Sequence, residues 1–151
     1  MPPPPVNDIG RALLWIYALL ALTSAHHVYG AIHYATPWRY HAVQLSAVTM
    51  GILVIADRIR RVRHGSALGR AAHRVAVVVS WVIPVLFVGG FEGFYNHVLK
   101  DALYFSGLPQ PWLMTLFPSP MYEMPNDAVF ETSGVLQVVP AGLAAYHLVD
   151  R

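Results

Sequence analysis

Aspartate, glutamate, lysine and arginine are missing from four long stretches of this chain: 12–38, 40–56, 75–91 and 132–149. A helix needs roughly 17–25 predominantly apolar residues to cross the hydrocarbon core of a bilayer. Each stretch reaches that length, alone or with its flanks. The spacing predicts spans near 9–33, 39–61, 71–99 and 128–149. Only 12% of the residues are charged, against about 25% in an ordinary soluble domain. The expected fold is therefore all-α, an integral membrane four-helix bundle forming one transmembrane domain.

A fifth uncharged stretch, 102–122, is of another kind. It holds Pro109, Pro111, Pro118 and Pro120. Each proline removes a backbone donor, and a proline in a helix interior breaks the helix. A span facing lipid cannot leave so many backbone groups unpaired. Trp112, Phe117 and Tyr122 suit the headgroup region instead. Residues 100–127 are expected to form an exterior, Pro/aromatic-rich interfacial cap between helices 3 and 4.

Six of the ten lysines and arginines lie between Arg58 and Arg74. The positive-inside rule places that loop in the cytoplasm. Both termini are then cytoplasmic, including a Pro-rich tail over 1–8, and segments 34–38 and 100–127 face the exterior of an inner (plasma) membrane. The rule accounts for the basic patch, so no nucleic-acid partner is expected. The opening MPPPPVNDIG has no basic residue before the apolar run, and a removable signal peptide is not expected. Asp8 can cap helix 1 and Asn126 or Asp127 helix 4. Thr36-Pro37 can start helix 2. Pro84 and Pro140 are expected to kink helices 3 and 4. Gly89 and Gly93 form a small-xxx-small pair that permits close helix contact.

This orientation gathers polar residues toward the exterior end. His26, His27 and His33 come late in helix 1, and His41 early in helix 2. Glu92, Asn96 and His97 come late in helix 3, and Glu131 early in helix 4. Fifteen residues separate Arg11 from His26, about 22 Å of helix, so His26 and His27 lie within a hydrocarbon core about 30 Å thick. Ionisable groups at such depth are costly and face a bundle interior or a water cavity. Pairing glutamate with histidine, or both with a metal ion, removes the cost. The same residue types also occur at wet helix ends, where His33, His41 and His97 would do no special work.

At about 100° per residue, His26 shares a stripe with Thr23, Gly30 and His33, and His27 points a quarter turn away. Glu92 shares a stripe with Asn96 and not with His97, five positions on. Adjacent His26 and His27 are not expected to bind one ion from a regular helix. His26, Glu92, His97 and Glu131 are accordingly the first-choice metal ligands. His27, His33, His41 and Asn96 form a second tier.

Cysteine is absent, which excludes disulfides, thiolate zinc sites and iron–sulfur clusters. Imidazole and carboxylate suit copper, zinc or iron. Met114, Met121 and Met124 lie in the exterior segment, and soft thioethers favour Cu(I), which puts copper first. Three alternatives stand beside a metal-binding membrane protein. One is a metal-free acid–base enzyme, isomerase-like, on a lipid-like substrate. Another is a b-type haem protein with His26 and either His41 or His97 as axial ligands. The last is a small structural or assembly subunit of a larger membrane complex. No serine sits in a nucleophile elbow. The expected partners are the lipid bilayer and either other membrane subunits or further copies of the chain.

Overall fold

The structure is a computed structural model that describes residues 8–149. The tail over 1–7 and the side chain of Asp8, expected to cap helix 1, lie outside what is described. Among the described residues there are five helices and no strand. These are α1 (Asp8–His33), α2 (Tyr40–Val62, entered through a 3-10 turn at Pro37–Arg39), α3 (Ala67–Phe105), α4 (Gln110–Leu116) and α5 (Ala128–Val149). Four of them, α1, α2 with its turn, α3 and α5, are long and apolar enough to cross a membrane. The chain is an all-α bundle of the multi-pass membrane type.

The bundle is built around α1, which packs on α2, α3 and α5. Its buried residues Ile9, Leu13, Ile16 and Leu20 recur at three- and four-residue intervals, so one face is continuous. That face meets Leu53 of α2, Ala76 and Val85 of α3, and Ala144 and Leu148 of α5. Large apolar side chains such as Leu14, Ile55 and Leu86 remain on the outside. Lipid tails are as apolar as leucine, so close packing rather than removal from water must hold such helices together. Gly89 and Gly93 supply it. A Cβ on Gly89 would collide with Cβ of Ala141, and one on Gly93 would press on Gln137 and Val138. Gly89→Val should therefore cost about 1–3 kcal/mol through overpacking, read from unfolding in mixed detergent micelles. Unchanged stability would mean that α3 and α5 do not approach there.

Both interior prolines interrupt the α-helical ladder. Pro84 has no N–H to offer Ser80, and from Trp81 to Leu99 the backbone of α3 pairs in the wider i→i+5 manner of a π-helix. In α5 the regular ladder breaks at Gln137, between Ala128–Leu136 and Val138–Val149, where Pro140 leaves Leu136 without its donor. Both prolines thus mark a change of hydrogen bonding within their helices.

Helix starts follow local chemistry. The Ser66 hydroxyl accepts from Gly69 N at the head of α3. Of the two candidates at α5, Asp127 is the cap, accepting from Phe130 N at 2.7 Å. That N–H, with help from the Tyr29 hydroxyl, holds the Asp127 carboxyl below the usual carboxylate range.

Segment 106–127 lies over the bundle end opposite the arginine-rich turn. It contains a short helix that the prolines argued against. Pro111 sits in the first turn of α4, where a missing N–H costs nothing. Phe117 is fully buried and packs on Tyr95, whose hydroxyl donates to Leu116 O at 3.0 Å. Lys100 donates to Glu123 O at 2.8 Å, and Arg39 reaches the Glu123 carboxylate at 3.4 Å.

Candidate metal centre

Beneath this segment, side chains of α1, α3 and α5 converge. Each histidine has a hydrogen-bond partner at Nδ1. His26 Nδ1 lies 2.9 Å from Ser133 Oγ, which in turn is 3.0 Å from Phe130 O. His27 Nδ1 donates to Thr23 O, one turn back, at 2.9 Å. His97 Nδ1 donates to the Glu131 carboxylate at 2.7 Å. Each ring thus turns Nδ1 outward onto a partner. Each leaves Nε2 facing inward.

The three Nε2 atoms meet at one carboxylate oxygen. Glu92 Oε1 lies 3.4 Å from His27 Nε2, 3.8 Å from His26 Nε2 and 3.8 Å from His97 Nε2. His26 is 1% exposed, and its Nε2 has no hydrogen-bond partner. The other carboxylate oxygen of Glu92 accepts from Asn96 Nδ2 at 2.6 Å. Ligand atoms of His26, His27 and Glu92 all fall within 4.8 Å of one another, close enough for the three to hold a metal ion.

Two readings of facing are corrected here. In π pairing, residues five apart occupy the place that residues four apart hold in an α-helix. Glu92 and His97 therefore share a face, which a 100° step denies them. His26 and His27 also serve one point although their Cα–Cβ bonds diverge. Their rings lie edge to face at 5.1 Å, and both Nε2 atoms swing toward α3.

Other sequence candidates are placed differently. Glu131 stands behind His97, away from its Nε2, with both oxygens 3.1 Å from Lys100 Nζ. His41 is exposed, donates from Nδ1 to Trp38 O and lies 6.3 Å from the His27 ring. His33 is stacked on Tyr29 near Asp127, its side chain 45% exposed. The His26 and His97 rings touch edge to face at 4.8 Å, leaving no slot for a porphyrin between that pair.

Four further residues support the cluster. Phe130 stacks on His26 at 4.2 Å. Gly134 admits the His97 ring, since a Cβ there would collide with it. Ser133 and Lys100 hold the outer partners. Phe130, Ser133, Gly134 and Gln137 are spaced three and four apart and were available as a stripe of α5.

A cavity of about 370 Å³ adjoins the cluster, lined by His27, Glu92 and His97 among others. No family model matches the chain, and the searches of curated proteins and of solved structures return no significant match.

Proposed function

We propose that this membrane protein binds one first-row transition-metal ion through Nε2 of His26, His27 and His97 and the Glu92 carboxylate. One observation carries the reading: the Nε2 atoms of three imidazoles, each ring held at Nδ1 by a fixed partner, converge on a single carboxylate oxygen. With all three rings neutral and their lone pairs on Nε2, a cation is what makes that arrangement favourable. A divalent ion among the four atoms makes all four contacts attractive.

The dimensions agree with this. At metal–ligand bonds of about 2.0–2.1 Å, tetrahedral neighbours lie about 3.4 Å apart. His27 and Glu92 have that separation already. His26 and His97 stand about 0.4 Å farther from the carboxylate oxygen, and His97, which lies outside the group whose ligand atoms fall within 4.8 Å of one another, must also move toward the other two rings. Imidazole and carboxylate suit copper, zinc and iron alike, and the four-atom set requires no sulfur. Glu131 and Ser133 act behind the ligands, as carboxylates and hydroxyls commonly do behind metal-bound histidines. On this reading the metal end and the capping segment face the exterior, opposite the arginine-rich turn.

Titration of metal-stripped protein in mild detergent with Zn²⁺, Cu²⁺ or Fe²⁺ tests the proposal. One ion per chain is expected for at least one metal. Ser133→Ala should weaken binding about 10–100-fold, because His26 loses the partner that orients it. Unsaturable binding of all three metals would reject the site, and an unchanged affinity in Ser133→Ala would remove His26 from it.

A further inference from the structure

The cavity beside the ligands has two unlike ends. Toward the bundle middle its walls are apolar, with Leu45 of α2 facing Phe87, Val88 and Phe91 of α3. Phe87 and Phe91 are 48% and 42% exposed, so this end opens on the flank of the bundle. The opening has a structural cause. α2 packs on Ala67–Ser80 of α3, whereas the π-helical part beyond it packs on α5. In a bilayer this flank faces acyl chains.

The other end is charged. Arg39 and Lys100 line it, against Glu92 and Glu123. Arg39 is 5% exposed, yet hydrogen bonds to Thr36 and Glu123 use only two of its five N–H donors. Its guanidinium lies over the rings of Trp38 and Phe130, 4.8 and 5.1 Å from their centroids, which hold it in place. With Glu131, which holds Lys100 from behind, two cations face three carboxylates, and a divalent ion at the histidines turns the net charge positive. The volume falls within the range of about 300–1,000 Å³ usual for ligand sites.

We infer that the cavity takes an anionic single-chain amphiphile from the bilayer, its head group between Arg39 and the metal and its tail between α2 and α3. The inference rests on the metal-binding reading, because the ion supplies the net positive charge. The fit is one of charge and polarity together: an apolar slot open to lipid ends at unused guanidinium donors beside an open flank of the ligand set.

The test uses metal-loaded protein in nanodiscs of zwitterionic lipid and a palmitate analogue with a diazirine in its tail. Cross-linked peptides are mapped by mass spectrometry, and metal content is measured on the same samples. Labelling is expected to concentrate on Leu45, Phe87 and Phe91, to be competed by palmitate, and to resist hexadecanol of the same length. Arg39→Gln should weaken the interaction at least about tenfold. Ala42→Trp, which fills the slot, should abolish focused labelling. Labelling spread evenly over outward-facing residues in a metal-loaded sample would overturn this inference and leave the metal site standing. Equal competition by the alcohol would overturn the anionic head group without recourse to any variant. A sample without metal under saturating conditions would instead overturn the reading beneath it.

Discussion

Replacing Glu92 by glutamine should weaken metal binding by more than about 100-fold, beyond the 10–100-fold usual for loss of an outer partner. Glutamine keeps the shape and a carbonyl oxygen, so packing is preserved. It removes the charge and presents an amide. The neutral amide can still meet Asn96, which donates to Oε2 of the carboxylate at 2.6 Å. What it cannot do is balance a divalent ion among three neutral imidazoles. Equilibrium dialysis against competing chelators reads the change directly, and circular dichroism shows whether the helices persist. Wild-type affinity in a folded Glu92→Gln protein would remove the carboxylate from the site.

Lys100→Met should cost about 3–5 kcal/mol of stability, the usual result of removing one partner from a buried ion pair. Lys100 is 2% exposed and holds both oxygens of Glu131 at 3.1 Å. Its loss leaves the Glu131 carboxylate buried with His97 as its hydrogen-bonding partner, and takes the ammonium away from Asp101 as well. The double variant Lys100→Met/Glu131→Gln should recover much of the loss, because it removes the Glu131 charge that Lys100 no longer balances. Unfolding in mixed micelles measures all three proteins. If the double variant is no more stable than the single one, Lys100 contributes by packing its stem and not by charge. The metal readout separates a further role: Glu131→Gln should weaken binding, since a neutral amide orients the His97 ring less firmly than a carboxylate does.

The architecture was legible because charge is so expensive in lipid. Stretches such as 75–91 and 132–149 can tolerate no ionised side chain, and their lengths alone mark out α3 and α5. Phe117, expected among the headgroups with Trp112 and Tyr122, is instead fully buried against Tyr95. The candidate cluster was legible in its membership more than in its geometry. His26, His27, Glu92 and His97 were all named, but the facing of His97 relative to Glu92 depends on the backbone. Pro84 hints that α3 is interrupted and says nothing of the π pairing that continues to Leu99, which is what turns His97 toward Glu92. His27 was ranked low by its Cβ direction, although an imidazole is long enough to reach back across a quarter turn. Lys100 stands one residue beyond the expected end of helix 3. Its stem folds inward, so that the ammonium serves Glu131 and the Glu123 carbonyl. Such burial depends on a tertiary partner that spacing does not reveal.

The most direct measurement is X-ray absorption at the metal edge of the loaded protein, prepared without a histidine tag. The expected spectrum shows one ion per chain, three imidazole ligands and an oxygen at about 2.0–2.1 Å. The imidazole scattering should fall by one ring in each of His26→Ala, His27→Ala and His97→Ala, and stay unchanged in His33→Ala. A metal ion coordinated mainly by water, or one whose imidazole shell survives all three substitutions, would contradict the account.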